Sequence, residues 1–514
     1  MDTNQDTSAN NKRIAKNTLL LYGRMLLMMI ISLYTSRVII NALGIQDYGI
    51  YGVVGGVVAL FTIISGSLSA AISRFITVEL AKGDMENLKK VFCASVSVQV
   101  ILIIIITLLL ETIGVWFLNN KMVIPSDRIA AANWVFQFSV ITFALNLICV
   151  PYSAAIIAHE KMSAFAYISI IDAVARLAIS FVILLNPFDR LVYYGLLILI
   201  VGVIQRFIYT VYCKKHFEEC HFKFIFDKPI VKEMFGFAGW NFIGASSAVL
   251  RDQGGNMIIN LFCGPAVNAA RGVAMSVHNA VNSFVSNFQV ALNPQITKTY
   301  ASGDYEYMFK LIFQGTRLSY YILLILALPI IFTAPYLLQL WLGLVPEHAT
   351  RFTQLILIYS LSEALSGPLI TVMLATGKIR NYQLIVGGCQ LLNLPAYYLF
   401  LKQGFPVESV FIVMIAISII SEFARLFMLR NMIQLSIRAF LKDVYFNVIY
   451  VSLLSALIPF LLKQFFGVES IQAFIIIVVL TVLCTVAIIY FVGCNKHERK
   501  LVKAVISKVL NKIR

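Results

Sequence analysis

Charge is scarce in this chain of 514 residues: Asp, Glu, Lys and Arg make up 13%, against 60% hydrophobic residues. Soluble domains carry about a quarter charged residues, so a soluble fold is excluded as the main architecture. Acids are fewer than bases, 25 against 41, for a net charge of +16. That sign alone would suit nucleic acid, but in a polytopic chain the place of each charge matters more than the sum, and no nucleic-acid partner is expected. The eight cysteines show no C-x-x-C spacing. Cys213, His216, Cys220 and His221 do cluster, yet their irregular spacing favours a reduced cytoplasmic loop over a zinc site. No G-x-x-x-x-G-K-[ST] occurs, which argues against ATP hydrolysis by this chain. The outer loops are short and lack paired carboxylates or a His-based motif, so a glycosyltransferase, polymerase or ligase is disfavoured; His159-Glu160 reads as a simple turn. Met1–Asn11 is polar and acidic with no A-x-A-like site after it, so no cleaved signal peptide is expected. No metal or organic cofactor is expected; H⁺ or Na⁺ is left as a coupling ion.

What the chain has in abundance is long apolar runs, the signature of spanning helices. They predict an all-α integral membrane protein of about 14 spans, at 17–43, 48–77, 91–118, 129–158, 163–185, 191–213, 235–262, 265–296, 314–342, 351–375, 382–401, 408–429, 443–462 and 472–493. With both termini cytoplasmic, six of the 41 Lys and Arg fall in outer loops and nine, all Arg, fall within spans or at their edges; the rest lie inside. That distribution follows the positive-inside rule. The tail from Lys496 to Arg514 places Leu501, Val502, Val505, Val509 and Ile513 on one helical face, with Lys500, Lys503 and Arg514 opposite. Such a helix lies on an anionic leaflet.

The sequence also repeats itself. Gly44 and Gly264 are 220 residues apart, as are Gly83-Asp84 and Gly303-Asp304, and ELAKGDMENLKK aligns with TYASGDYEYMFK. Ile39-Ile40-Asn41 matches Ile258-Ile259-Asn260 at an offset of 219. Each repeat holds six spans, an even number, so the halves are expected to be pseudo-symmetric lobes about an axis along the membrane normal. The predicted organisation is a lobe over 1–228, a second over 229–442, two further helices over 443–493, and a basic amphipathic tail over 494–514.

Polar groups mark where the interior lies. In span 8, Asn268, Arg271, Met275, His278, Asn282, Ser286, Gln289 and Asn293 fall within a stripe roughly 80° wide. Amides facing lipid would lose hydrogen bonds worth several kcal/mol, so the stripe must meet a wet cavity or another polar helix, and its length favours the cavity. The matching face of span 2 carries Tyr48, Tyr51, Gly55, Thr62, Gly66, Ser69 and Ser73; Gly52 to Gly56 also has small-residue packing spacing. Arg251 lies near mid-bilayer, where insertion costs at least ~2.5 kcal/mol, and Asp252 beside it should point about 100° away. Gly254-Gly255 would let span 7 bend there. Arg24, Arg37, Arg74, Arg251 and Arg271 all fall on the first two spans of each half. Arg206, Arg317 and Arg425 lie near cytoplasmic ends, where snorkelling explains them. Asp172 and Arg176 are i and i+4 and should pair. Arginines outnumber acids inside the spans, which suits a phosphate-bearing anion better than a drug cation.

The stretches LRDQGGNMIINLFCGPAVNAARGVA, NFQVALNPQITKTYASGD and NTLLLYGRMLLMMIISLYTSRVIINALGIQDYGIYGVVGG carry a resemblance to Wzx-type oligosaccharide flippases of the multidrug/oligosaccharidyl-lipid/polysaccharide exporter (MOP) superfamily. The resemblance covers nearly the whole chain and implies a MATE-like fold. It also implies movement of an undecaprenyl-diphosphate-linked sugar from the cytoplasmic to the periplasmic leaflet of the inner membrane, for O-antigen or capsule. Fourteen spans match the lipid II flippase relative better than the twelve of many Wzx proteins, so a peptidoglycan precursor is the alternative cargo; a multidrug antiporter is the third. The expected cavity residues are Arg24, Arg37, Arg74, Arg251, Arg271, His278, Asn282, Gln289 and Asn293. Asp252 and Glu363 are the acids expected to couple to an ion. The expected partners are the lipid-linked glycan and membrane lipids. A monomer in contact with polysaccharide-assembly proteins completes the expectation.

Overall fold

The structure is a computed structural model that describes residues 26–499 except 63–71, 73–74, 77–78, 81–82, 160, 186–188, 222, 224–226, 230, 233–245, 377–378, 468–469 and 496–497. Arg24, Arg74, the inner half of the span 2 face and most of the basic tail lie outside the described residues. All the described regular elements are helical. In chain order they are α1 (Leu26–Leu43), α2 (Ile45–Ala59), α3 (Met85–Asn120), α4 (Ser126–Ala158), α5 (Ser163–Val182), α6 (Arg190–His216), α7 (Gly255–Cys263) and α8 (Pro265–Ala301). There follow α9 (Tyr305–Leu342), α10 (Ala349–Ala375), α11 (Arg380–Lys402), α12 (Ser409–Ile433), α13 (Ile437–Gln464) and α14 (Ile471–Gly493).

Eleven of these are long and apolar enough to cross a membrane. Helices are the element of choice there because each backbone donor and acceptor is satisfied within its own segment. The eleven correspond to eleven of the fourteen predicted spans. Spans 2 and 7 fall partly outside the described residues, and span 8 is α8, a 37-residue helix whose polar stripe dilutes its hydropathy. Where proline removes a backbone donor, a side chain fills in. Pro335 leaves the Ile331 carbonyl without its usual partner, and Gln354 Nε2 of α10 donates to it at 2.9 Å.

The repeat is written into the backbone. Gly44 and Gly264 share a left-handed φ, 82° and 76°, as do Gly83 and Gly303, 74° and 76°. These are conformations a Cβ disfavours, which is why glycine recurs at the same offset. Asp84 accepts from Asn87 N at 3.0 Å, and Asp304 accepts from Tyr307 N at 3.1 Å, so the same N-cap opens α3 and α9.

The chain falls into two compact units. One takes in the chain to Gly272 with the short segments Trp341–Glu347 and Asn393–Val407; the other comprises Val273–Leu340, His348–Leu392 and the chain from Glu408. In the first, Arg128 bridges Asp47 (2.9 Å from Nε) and Asp189 (2.5 Å from Nη1), tying together the starts of α2, α4 and α6. A Cβ built on Gly49 would lie 1.8 Å from the Pro265 carbonyl oxygen, so α2 meets the start of α8 backbone to backbone. A Cβ built on Gly52, by contrast, would meet nothing within 4 Å. Gly56, at the end of the predicted stretch, is also closely packed, where a Cβ would meet Gln253 Oε1 at 2.9 Å, while the tightest contact is at Gly49. Gly49→Ala is expected to cost about 1–3 kcal/mol or more through overpacking, because backbone cannot rotate away. Gly52→Ala should be tolerated. Thermal unfolding in detergent checks the pair, and equal midpoints would contradict it.

Of the three arginines expected to snorkel, two are buried and the third is half-buried against a ring. Arg425 and Arg317 are each only 5% exposed. Arg425 Nη1 donates to Ser366 Oγ (2.5 Å) and Glu422 Oε2 (3.2 Å), and Ser366 Oγ also bonds Glu422. Arg317 donates to Glu498 Oε1 (2.5 Å) and to the Asp443 carbonyl (2.9 Å), anchoring the chain beyond α14 to α9. Arg206 lies over the Tyr152 ring, 4.4 Å from its centroid. Each found a partner on another helix, which span position alone does not reveal.

Candidate functional site

The centre of the site is the segment before α7. Leu250–Gly254 forms a π turn, a widened stretch of helix that often marks functional positions. The π turn, not an unusual glycine backbone, is the irregularity at the place where the two glycines were expected to bend the helix. Gly254 and Gly255 keep ordinary helical φ values of −62° and −59°. They are small because neighbours press on them. A Cβ on Gly254 would meet Leu394 at 2.6 Å, and one on Gly255 would meet Arg271 Nη1 at 2.7 Å and the Tyr397 ring at 3.1 Å.

Arg251 and Asp252 were expected to diverge. Instead Arg251 Nε donates to Asp252 Oδ1 at 2.9 Å, since the long arginine side chain folds back across the widened turn. Arg271 of α8 reaches the same residue, with Nη2 donating to the Asp252 carbonyl at 2.9 Å. Two buried guanidiniums therefore meet at Asp252, one on its carboxylate and one on its backbone carbonyl. Arg271 Nη1 is buried without a hydrogen-bond partner among the described residues, and so is the Tyr397 hydroxyl. Tyr397, on α11, lies within electrostatic reach of Arg271, Arg251 and Asp252. Sequence reasoning missed it because a tyrosine in an apolar span carries no signal of its own. Buried polar atoms without partners are uncommon and costly, and these two converge on a cationic centre. The chemistry offered is donation to an anion.

An amide network surrounds this centre. Asn268 Nδ2 donates to Asn256 O (2.8 Å) and Oδ1 (2.6 Å), and Asn256 Nδ2 donates to Gly52 O (3.2 Å), joining α8, α7 and α2. Arg37 is exposed on α1.

Asn41 and Asn260, matched in the repeat, make matched clamps. Asn41 Nδ2 donates to the Leu342 carbonyl at 2.6 Å. Asn260 accepts from Val123 N at 2.9 Å and donates to Val123 O at 3.3 Å. Val123 and Leu342 are themselves 219 residues apart, the same offset as the two asparagines. Each repeat thus grips the other's equivalent turn inside the first unit. Trp341 Nε1 adds a bond to Leu33 O at 2.7 Å. Removing both clamps leaves backbone groups unsatisfied at about 1–3 kcal/mol each. The double variant Asn41→Ala/Asn260→Ala is expected to label a Leu342→Cys thiol at least about tenfold faster. Unchanged labelling of that peptide by mass spectrometry would refute the clamp.

Three residues of the α8 stripe bond to neighbouring helices of the second unit. His278 Nδ1 bonds Ser360 Oγ (2.6 Å), Gln289 Nε2 donates to Ser319 Oγ (3.3 Å), and Thr371 Oγ1 donates to Asn293 Oδ1 (2.7 Å). Asn282 is half-buried, and its side-chain amide has no hydrogen-bond partner among the described residues. Glu363 is half-buried on α10. The face of α2 lines a cleft of about 210 Å³ within the first unit, where Tyr51, Gly55 and Thr62 meet Thr142, Asn146 and Arg176. Arg176 pairs with Asp172 as predicted, at 3.0 Å.

A multi-pass chain whose described elements are all helical, with a duplicated backbone plan, has the fold of MOP-superfamily membrane proteins. The fold matches the lipid II flippase MurJ in an inward closed conformation, with TM-score 0.68 and 12% identity over 93% of this chain and 99% of that one. It also matches an inward-facing multidrug resistance MATE family transporter of the MOP superfamily, with TM-score 0.65 and 12% identity over 80% of this chain and 96% of that one. The chain belongs to the polysaccharide biosynthesis protein family, whose sequence model matches residues 14–300. A Bacillus subtilis (strain 168) relative, the uncharacterized membrane protein EpsK, is 20% identical over 337 residues, 63% of this chain and 64% of its own length. The fold is one that this chain shares with membrane transporters.

Proposed function

We propose that this transporter flips an undecaprenyl-diphosphate-linked oligosaccharide from the cytoplasmic to the periplasmic leaflet by alternating access, for O-antigen or capsule synthesis. The observation that carries the reading is the buried pair Arg251 and Arg271 meeting at Asp252, with Arg271 Nη1 and the Tyr397 hydroxyl unpartnered among the described residues. A diphosphate supplies the acceptors these donors lack, and guanidinium matches its oxygens bidentately. Arg24, Arg37 and Arg74 are proposed to guide the headgroup, and His278, Asn282, Gln289 and Asn293 to meet the sugars, with Asn282 the most available. The isoprenoid tail stays in lipid.

On this reading the protein sits in the bacterial inner membrane with both termini cytoplasmic, which the Lys and Arg distribution supports. Two six-helix lobes, 1–228 and 229–442, rock about the site, and the Asn41 and Asn260 clamps hold the periplasmic end shut. The chain works as a monomer beside polysaccharide-assembly proteins. A proton or Na⁺ gradient drives the cycle through Asp252 and Glu363. Asp252→Asn or Glu363→Gln is expected to abolish substrate-coupled ion flux in vesicles, and unchanged flux in both removes the coupling.

The long match to MurJ supports a second reading, in which the cargo is a peptidoglycan precursor. A drug-cation antiporter is disfavoured by the surplus guanidinium. Deleting the gene and identifying the lipid-linked sugar that accumulates on the inner leaflet separates these. A surface-polysaccharide unit fits the proposal, a peptidoglycan precursor the second reading, and no accumulation would end both.

A further inference from the structure

A second basic site lies in the other unit, where α12 ends and α13 begins. Gln434, Leu435 and Ser436 alone join the two helices, with Gln434 in a left-handed conformation, φ 59°. The tight link shapes a cleft of about 860 Å³. Arg430, Arg438 and Lys442 line it, all three exposed, and no acid is among the lining residues. None of the three forms an ion pair with a described residue. Asp443, next to Lys442, lines a separate cleft with Arg317. The floor is apolar, with Leu435 buried and Leu441 half-buried. On the rim, Phe427 is 56% exposed and Phe446 70%.

Basic residues in inner loops orient a membrane protein whatever they bind, so their presence alone says little. Convergence is what matters here. Three cations from two helices face one hollow, and the exposed Phe427 and Phe446 rings add apolar surface at its rim. Arginine favours phosphate oxygens through its planar fork, and apolar walls suit the glycerol and first methylenes of an acyl chain. We infer that this cleft binds the phosphate headgroup of an anionic glycerophospholipid, separate from the Arg251–Arg271 centre. The lipid seats α12 against α13 at the membrane surface.

The test uses the purified full chain in nanodiscs of phosphatidylcholine doped with a photoreactive phosphatidylglycerol. Crosslinking is expected within residues 427–446, falling about fivefold or more in R430Q/R438Q/K442Q and returning in R430K/R438K. The three side chains are exposed and unpaired, so the variants should fold, and elution volume in detergent confirms it. Labelling elsewhere, an undiminished signal in the triple variant, or equal labelling by a photoreactive phosphatidylcholine would overturn the site. Erasure by millimolar inorganic phosphate would make it a soluble-anion site, and displacement by polyglutamate would assign it to a protein partner; either outcome overturns the lipid.

Discussion

Arg271→Met is expected to leave the protein folded and nearly abolish translocation. Arg271 is 5% exposed, yet among the described residues it makes a single hydrogen bond, to the Asp252 carbonyl, with Nη1 unpartnered and Arg251 on the same residue. A buried cation so thinly compensated contributes little to the fold. Its removal leaves the Asp252 carboxylate paired with Arg251, so the penalty of stranding an unpaired buried charge does not arise. Cargo binding behaves oppositely. Charge-assisted hydrogen bonds to a diphosphate are each worth about 1.5–3 kcal/mol, so losing one lowers affinity some ten- to hundredfold. Arg271→Lys should fall between, since it keeps the charge and loses the fork. A thermal midpoint equal to or above wild type, with translocation down at least about tenfold, is the expected signature. A fall in both together would mean that Arg271 is structural.

The second large effect runs the other way. Removing either Glu422 or Arg425 should destabilise the second unit by about 3–5 kcal/mol, because the survivor is left as an unpaired buried charge. Glu422 is 2% exposed and Arg425 5%, with Ser366 bonded to both. The double variant E422L/R425M should recover most of that loss, as paired replacement by apolar residues commonly does. Thermal unfolding of the two single variants and the double gives the cycle. Additive losses in the double would show that the two residues do not act as a pair.

These two sites mark how far sequence reading reached. Spans were legible because twenty apolar residues in a row have few alternatives, and the repeat was legible because Gly44 and Gly264 obey one conformational rule. The i, i+4 pair Asp172–Arg176 follows from helix geometry alone. Arg425 and Arg317 were not legible, since position near a span end fits snorkelling and burial equally; their partners lie on other segments. The α8 stripe announced that it avoids lipid, but polarity cannot say whether water or another helix receives it, and His278, Gln289 and Asn293 turned out to meet α9 and α10. Gly254 and Gly255 were read as a hinge, whereas their smallness serves close packing by Leu394, Arg271 and Tyr397.

The most direct test places the purified protein in vesicles carrying an undecaprenyl-diphosphate-linked fluorescent glycan and follows its appearance in the opposite leaflet. Wild type should move it faster than empty vesicles, and Arg271→Met should not. Equal rates for wild type and Arg271→Met, or no rate above empty vesicles for either, would contradict a guanidinium site for a diphosphate cargo.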